Sequence, residues 1–408
     1  MSNKEIQIYT PQLTEALATT IPTVWFALKG ILVGTPQATL EVIFLLAFGV
    51  LFGAFNSSQL CKQLGIGKDG VYNQLKGHTP YLWRRLIQEL GYKLVVDALQ
   101  RLQLKSAATQ SRANLTLILD DSLFIRLSEE MALVYKWWGG ALRRVGQGQD
   151  LMGVVLVVGD QIIPLELLIA TKQGKKKLTK VELARRILAE AAYRLKTIGI
   201  DLALIEVVAD SWFSNSPLID YTLKLGFTWA SESKTSYVFY VKGIRYTASQ
   251  LRELPLDSGW GGENTSLFHA ISPTFGHVII VLWKDIHKVR CLIVKSPRHV
   301  RALQITRAFK VRPKIEVLWR LLKTTLKTLE MKLRSPSGAR AQVAIRMISF
   351  YLLVILQPLC SAHKIPPKQN LTFGQLMDIY QRSGIVPFVI KKQFQMINSK
   401  TTYFISKL

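Results

Sequence analysis

The sequence predicts an α/β fold: a mixed-sheet core with a β-rich insertion, flanked by helical regions. Three observations lead there. Short apolar runs at residues 114–122, 151–171 and 201–213 read as buried strands. The longest amphipathic helix between them, LTKVELARRILAEAAYRLKTIG, separates the third strand from the fourth. Residues 1–110 and 336–408 carry helical periodicity instead.

The chain has 408 residues, 49% of them hydrophobic, so it can bury a large core and is not globally disordered. Its formal charge of +26 and pI near 10 fit a polyanionic partner, nucleic acid before anionic membrane, better than a small neutral substrate. Three widely spaced cysteines, Cys61, Cys291 and Cys360, form no CxxC pair and no disulfide framework, which predicts a cytoplasmic protein. The six histidines have no zinc-ligand spacing. No signal peptide is expected at the start of the sequence.

In the first region, the apolar run VIFLLAFGVLFGAF (Val42 to Phe55) falls short of the roughly 20 residues of a membrane span and reads as a buried helix. SFYLLVILQPL (Ser349 to Leu359) reads the same way, with Arg346 and Gln357 close by. SSQLCKQLGIGKDGVYNQLKG (Ser57 to Gly77) has the pattern of a helix-turn-helix. Leu60, Cys61 and Leu64 make an apolar face, Gly65 allows the turn, and Val71 and Leu75 face back. Lys68, Asn73, Gln74 and Lys76 would then be free to meet DNA. An ordinary helical hairpin has the same pattern, and Gly70 weakens the second helix.

The core begins with NLTLILDDS (Asn114 to Ser122), a strand ending in two acids. LMGVVLVVGD and QIIPLELLIAT form a hairpin turning at Gly159-Asp160. Gly199 stops the long helix, and DLALIEVVADSWF (Asp201 to Phe213) is a buried strand that again ends in an acid. SPLIDYTLKLG is a Ser-capped helix and FTWASES another strand. Residues 234–300, rich in aromatic and β-branched residues, read as the insertion. The expected organisation is a helical DNA-binding region over 1–110, core over 111–233, insertion over 234–300, core again over 301–335, and a helical basic region over 336–408.

Three acids stand out: Asp120 or Asp121, Asp210, and Glu316 in AFKVRPKIEVLWRLLK. Each strand-end acid alone could be a turn residue. In an RNase H-like sheet the first and fourth strands are neighbours, so their terminal carboxylates meet, and a later helix can bring the third. Such a set suits Mg²⁺ or Mn²⁺, with two ions activating water and stabilising the leaving oxygen of a phosphoryl displacement. Pro313 can start the last helix. At about 100° per residue, Glu316, Arg320 and Lys323 share a face, with Arg312 a turn earlier. Arg312 and Lys323 would hold phosphates; a plain Glu316–Arg320 salt bridge is the simpler alternative.

The last stretch resembles the Y-(2)-R-(3)-E-(6)-K signature of bacterial insertion-sequence DDE transposases of the insertion-sequence-four-like branch. Here it reads Phe309, Arg312, Glu316, Lys323, with Phe in place of Tyr. LILDDS is similar to that family's first acidic block, whose register favours Asp121 over Asp120, and VVADSWFSN to its second, which supplies Asp210. The resemblance covers residues 110–330. It implies an RNase H-like catalytic core in which Asp121, Asp210 and Glu316 bind two Mg²⁺ or Mn²⁺ ions. It implies cleavage at transposon ends, joining of the 3′-OH to target DNA, and a homodimer on paired ends of double-stranded DNA, associated with the nucleoid of a prokaryote. Arg312, Arg320 and Lys323 would contact DNA, and Trp283, in VIIVLWKD, would stack on a flipped base. Phe309 lacks the hydroxyl that relatives aim at phosphate.

Two basic features accompany these motifs. KQGKKKLTK (Lys172 to Lys180) would add nonspecific affinity or remain a solvated loop. After Glu316, fourteen Lys and Arg face only Glu330 and Asp378, a composition suited to lying along DNA. Rival readings are a transposase-derived DNA-binding protein without catalysis, an RNase H-like nuclease and, weakest, a peripheral membrane protein, since no helix has a clean basic-apolar split.

Overall fold

The computed structural model describes residues 3–75, 78–109, 115–126, 131–139, 143–172, 178–256, 265–286, 288–332, 334–362, 371–397 and 405–407. In chain order the helices begin with α1 (Asn3–Ile8), α2 (Thr10–Ile31), α3 (Gln37–Phe48), α4 (Ser57–Leu64), α5 (Lys68–Leu75) and α6 (Pro80–Thr109). Four strands follow: β1 (Leu115–Ile125), β2 (Tyr135–Gly139), β3 (Arg144–Val158) and β4 (Gln161–Ile169). Then come α7 (Lys180–Thr197), β5 (Ile205–Ala209), α8 (Ser216–Leu225) and β6 (Thr228–Glu232). The insertion holds β7 (Val238–Val241), β8 (Ile244–Thr247), α9 (Ala248–Leu251), β9 (Thr265–Ser272), β10 (Gly276–Lys284) and β11 (Val289–Lys295). The chain continues with α10 (Ala302–Lys310), α11 (Lys314–Arg320), α12 (Pro336–Ala362), α13 (Phe373–Ser383) and α14 (Val386–Ile397).

The chain divides into two compact units. One comprises Met1–Leu90, Phe124–Gln149 and Trp319–Leu408; the other comprises Gly91–Leu123 and Asp150–Leu318. Residues 1–90 and 336–408, expected in separate regions, belong to one unit, while 91–110 of the expected first region fall in the other. The core of the first unit is apolar helix packing. α2 packs on α12 and α14, and α3 on α12. Trp25, Phe44, Phe48 and Phe394 make a chain of edge and stacked ring contacts. The run 42–55 is buried in α3 and the 3₁₀ turn after it, except for Phe52 and Gly53, which are half-buried. Among the described residues, α12 alone is long and apolar enough to cross a membrane, and 72% of its most apolar window is buried inside the protein. Arg346, expected merely to flank this run, is completely buried within α12 and donates to the carbonyls of Leu46 and Phe55.

α4 and α5 form the anticipated pair. Asn56 caps α4, Gly65 closes it at φ 64°, and Leu60, Cys61, Leu64, Val71 and Leu75 are buried. Lys68 and Asn73 are exposed, but Gln74 is half-buried and accepts a hydrogen bond from Thr39, so it is engaged within the protein. Lys76 lies outside the described residues.

The second unit is built on a mixed sheet in the order β4-β3-β1-β5-β6-β11-β10-β9-β7-β8. β3 and β4 are an antiparallel hairpin turning at Gly159-Asp160, with Gly159 at φ 60°. β1, β5 and β6 are parallel, and the insertion continues antiparallel from β6. β2, which the sequence reading missed, pairs with Arg144–Gly148 of β3 in the first unit. α7 starts with a complete Thr179–Glu182 capping box, and α8 is capped by Asn215, not by the Ser expected from the sequence, its side chain accepting from Leu218 N–H.

Two close approaches explain the glycines at their positions. A Cβ on Gly91 would sit 2.2 Å from the Pro164 carbonyl oxygen, and one on Gly148 2.3 Å from that of Phe124.

Candidate functional site

The β1–β5 ladder sets the site. Leu115 pairs with Ile205, and the register holds through Leu119 and Ala209. One step further along both strands stand Asp120 and Asp210. Alternation puts Asp120 on the face of Thr116 and Ile118, and Asp121 on the opposite one. Asp210 also caps the turn after β5, its Oδ1 accepting from the Ser211 backbone N–H at 2.7 Å.

Arg312 lies between α10 and α11, and its guanidinium gathers three carboxylates. Nη2 is 3.2 Å from Asp210 Oδ2 and 3.9 Å from Asp120 Oδ1, and Nη1 is 3.3 Å from Glu316 Oε1. Asp120 is largely buried, while Asp210 and Glu316 are open to solvent. The Arg312 Nε is buried with no hydrogen-bond partner among the described residues. Glu316 therefore pairs with Arg312 one turn before it, not with Arg320 as the helical spacing allowed.

This corrects the register argument that favoured Asp121. Asp121 sits 2.6 Å from Lys180 Nζ at the start of α7, on the other side of the sheet. The same ammonium lies 2.8 Å from Asp150, whose side chain is only 2% exposed. Burial, then the nearby Asp121 charge, raises the Asp150 pKa to about 6 against the opposing pull of Lys180. Burial opposes the Lys180 charge, but Asp121 and Asp150 outweigh it and the pKa of Lys180 is raised. Asp121 thus belongs to a buried structural triad with Asp150 and Lys180. The β1–β5 register separates the two aspartates: Asp120 and Asp210 stand one step beyond the Leu119–Ala209 pair, and Asp121 turns to the other face.

The basic residues divide. Arg320 is exposed. The α-helix changes to a π turn over Leu321–Thr325, so the 100° advance no longer places Lys323. Lys323 and Arg320 both fall in the first unit, where Lys323 Nζ lies 4.9 Å over the Phe124 ring. Pro313 precedes α11 rather than opening it. Phe309 is buried in α10.

Trp283 is 6% exposed in β10, with Lys310 Nζ 5.3 Å and Arg290 Cζ 6.0 Å from its ring centroid. A ring so enclosed has no free face for a base. The exposed aromatic beside the acids is Trp212, 55% exposed and two residues after Asp210, which the sequence reading passed over. Of the KQGKKKLTK run, residues 173–177 lie outside the described residues, and Lys180 serves the Asp121–Asp150 pair.

Comparison with models of known protein families finds no match, and comparison with curated proteins finds none.

Three carboxylates brought together from two strand ends and a helix are hard oxygen donors, the kind that Mg²⁺ or Mn²⁺ prefers. They already surround a cationic group, so their net charge is arranged for a cation at their centre. In this arrangement the three acids are spread around the Arg312 guanidinium, and among the described residues no three acids stand together closely enough to hold a metal ion.

Proposed function

We propose that this chain is a DDE transposase with an RNase H-like core, in which Asp120, Asp210 and Glu316 form the acidic triad. The observation that carries the reading is the convergence of these three carboxylates on Arg312. The strand order β4-β3-β1-β5-β6, with its antiparallel hairpin followed by parallel neighbours, supports the core assignment. So does the placement of a β-rich insertion between the second acid and the third.

In this reading the triad holds Mg²⁺ or Mn²⁺, and the bound ions supply Lewis-acid stabilisation for phosphoryl displacement at transposon ends and for 3′-OH transfer into target DNA. The protein's own part is positional. Asp120 and Asp210 are fixed by adjacent strands, and Glu316 by α11. Arg312 neutralises the acids before DNA binds and then moves to a phosphate oxygen, for which its planar donors are suited. Its unpartnered Nε supports that exchange. Trp212 offers a stacking surface for an unpaired base beside the scissile phosphate. Lys68 on α5 contributes to end recognition, and Arg320 and the basic C-terminal helices to DNA affinity. The working form is a homodimer on paired ends, and the place of action is the bacterial cytoplasm.

The test uses purified chain with Mg²⁺ or Mn²⁺ and duplexes spanning the two flanks of its gene. A 3′-OH released at a defined boundary and joined to a second DNA is the expected result. Scattered cuts without joined product would favour a nuclease. Tight end binding with no cleavage in either metal would mean that Arg312 remains among the acids and the protein is a DNA-binding derivative.

A further inference from the structure

The insertion carries a second surface that the acid site does not use. Along β10, His277, Ile279, Val281 and Trp283 alternate onto one face. α10 covers the Trp283 end of that face, where Lys310 lies over the ring. Towards the other end the face is open. His277 pairs with Ile271, Ile271 with Tyr240, and Tyr240 with Arg245, so the four share this face across β10, β9, β7 and β8. Tyr240 is 39% and Ile271 51% exposed, and His277, His269 and Arg245 are exposed as well. A cavity here is lined by Tyr240, Lys242, His269, Ile271 and His277.

This surface is separate from the acid cluster. Ala209 pairs with Ser231 of β6, so Asp210 stands one step further, level with Glu232. Glu232 pairs with Leu292 and Leu292 with Val281, so Gly276 and His277 lie four to five residues along β10 from the level of Asp210.

Its chemistry names the occupant. The cavity lining brings Lys242, His269, His277 and Lys295, with Arg245 opposite Tyr240; the carboxylate beside them, Asp220, is paired with Lys295 at 2.9 Å. Between β7 and β8 the turn is Lys242-Gly243 with φ 49° and 80°, a left-handed pair that favours Asn-Gly. A lysine kept at the strained position puts that cation at the rim of the cavity. A membrane would need a wider apolar area than Tyr240 and Ile271 supply. A duplex would use the cations and leave the apolar centre idle, because its bases are stacked inside. An unpaired strand uses both, with bases against Tyr240 and Ile271 and phosphates on the surrounding cations.

We infer that the open face of β8, β7, β9 and β10 binds single-stranded nucleic acid, with Tyr240 as the stacking platform and Lys242 and Arg245 as phosphate contacts. The measurement is fluorescence anisotropy of the full chain with labelled oligo-dT and with a duplex of equal length, without divalent metal. The result then stands whether or not the acid cluster cuts DNA. Tyr240→Ala combined with Arg245→Ala changes exposed side chains only. It should weaken oligo-dT binding by about tenfold, the loss expected for one stacked base and one phosphate contact, and change duplex binding far less. Photo-cross-linking of an iodouracil-containing strand should label the peptide that holds Tyr240. Unchanged oligo-dT affinity in the double variant overturns the inference. So does an equal loss for both DNAs, which would mark a general phosphate contact, or labelling confined to other elements.

Discussion

Asparagine substitution at Asp121 and at Asp120 tests the proposed division between a carboxylate that holds Lys180 and one that serves the acid triad. Asp121→Asn removes a charge-assisted hydrogen bond to Lys180 at 2.6 Å, where both side chains are 15% exposed. Such a bond contributes about 1.5–3 kcal/mol. The loss is partly offset, because Asp121 also helps to raise the Asp150 pKa from 3.8 to about 6. That rise corresponds to roughly 3 kcal/mol, and burial is its larger cause, so relief of the repulsion returns about 1 kcal/mol.

The pH dependence follows from the sign of the Asp150 shift. A carboxyl whose folded pKa is raised contributes stability below its unfolded pKa, and this is lost as pH rises through the folded value, here between about 4 and 6. Near pH 4.5, well below the folded value, Asp150 is already neutral in the folded state and there is no repulsion to relieve. Asp121→Asn should therefore cost about 1 kcal/mol at pH 7.5 and about 2 kcal/mol near pH 4.5, read by urea denaturation at both values. Metal-dependent cleavage by the folded variant should persist. Asp120→Asn should abolish cleavage with little change in the urea midpoint. Loss of cleavage in Asp121→Asn together with normal cleavage in Asp120→Asn would refute the assignment.

Further outcomes follow from the same geometry. Arg312→Ala leaves Asp120, Asp210 and Glu316 without their shared cation, so Mn²⁺ should bind more tightly by calorimetry while DNA affinity and its salt dependence fall. Under the proposed function, Trp212→Ala should reduce 2-aminopurine quenching at transposon ends, whereas Trp283→Ala should chiefly lower the melting temperature, since one ring is exposed and the other buried. Gly91→Ala forces a Cβ against the Pro164 carbonyl and should destabilise the fold by about 1–3 kcal/mol, measured by urea denaturation.

The composition and periodicity of the chain determined the sequence of elements. The apolar runs, the Gly159-Asp160 turn, the capped helices α7 and α8 and the strand-rich insertion all express local preferences within a few residues. The acids at 210 and 316, and Arg312 beside them, were also legible, because a carboxylate at the end of a buried strand and one among bases both break the local pattern. Tertiary structure decided which residues meet. The β1–β5 register brought Asp120 to Asp210 and turned Asp121 to Lys180, since adjacent strand residues face opposite sides. A π turn ended the helical bookkeeping that had grouped Lys323 with Glu316. Packing of α10 on the sheet enclosed Trp283, while Trp212, in the short turn after β5, stays 55% exposed. Register, helix pitch and burial depend on partners far away in the chain. Two neighbouring aspartates of identical local chemistry can therefore be told apart only once their strand is paired.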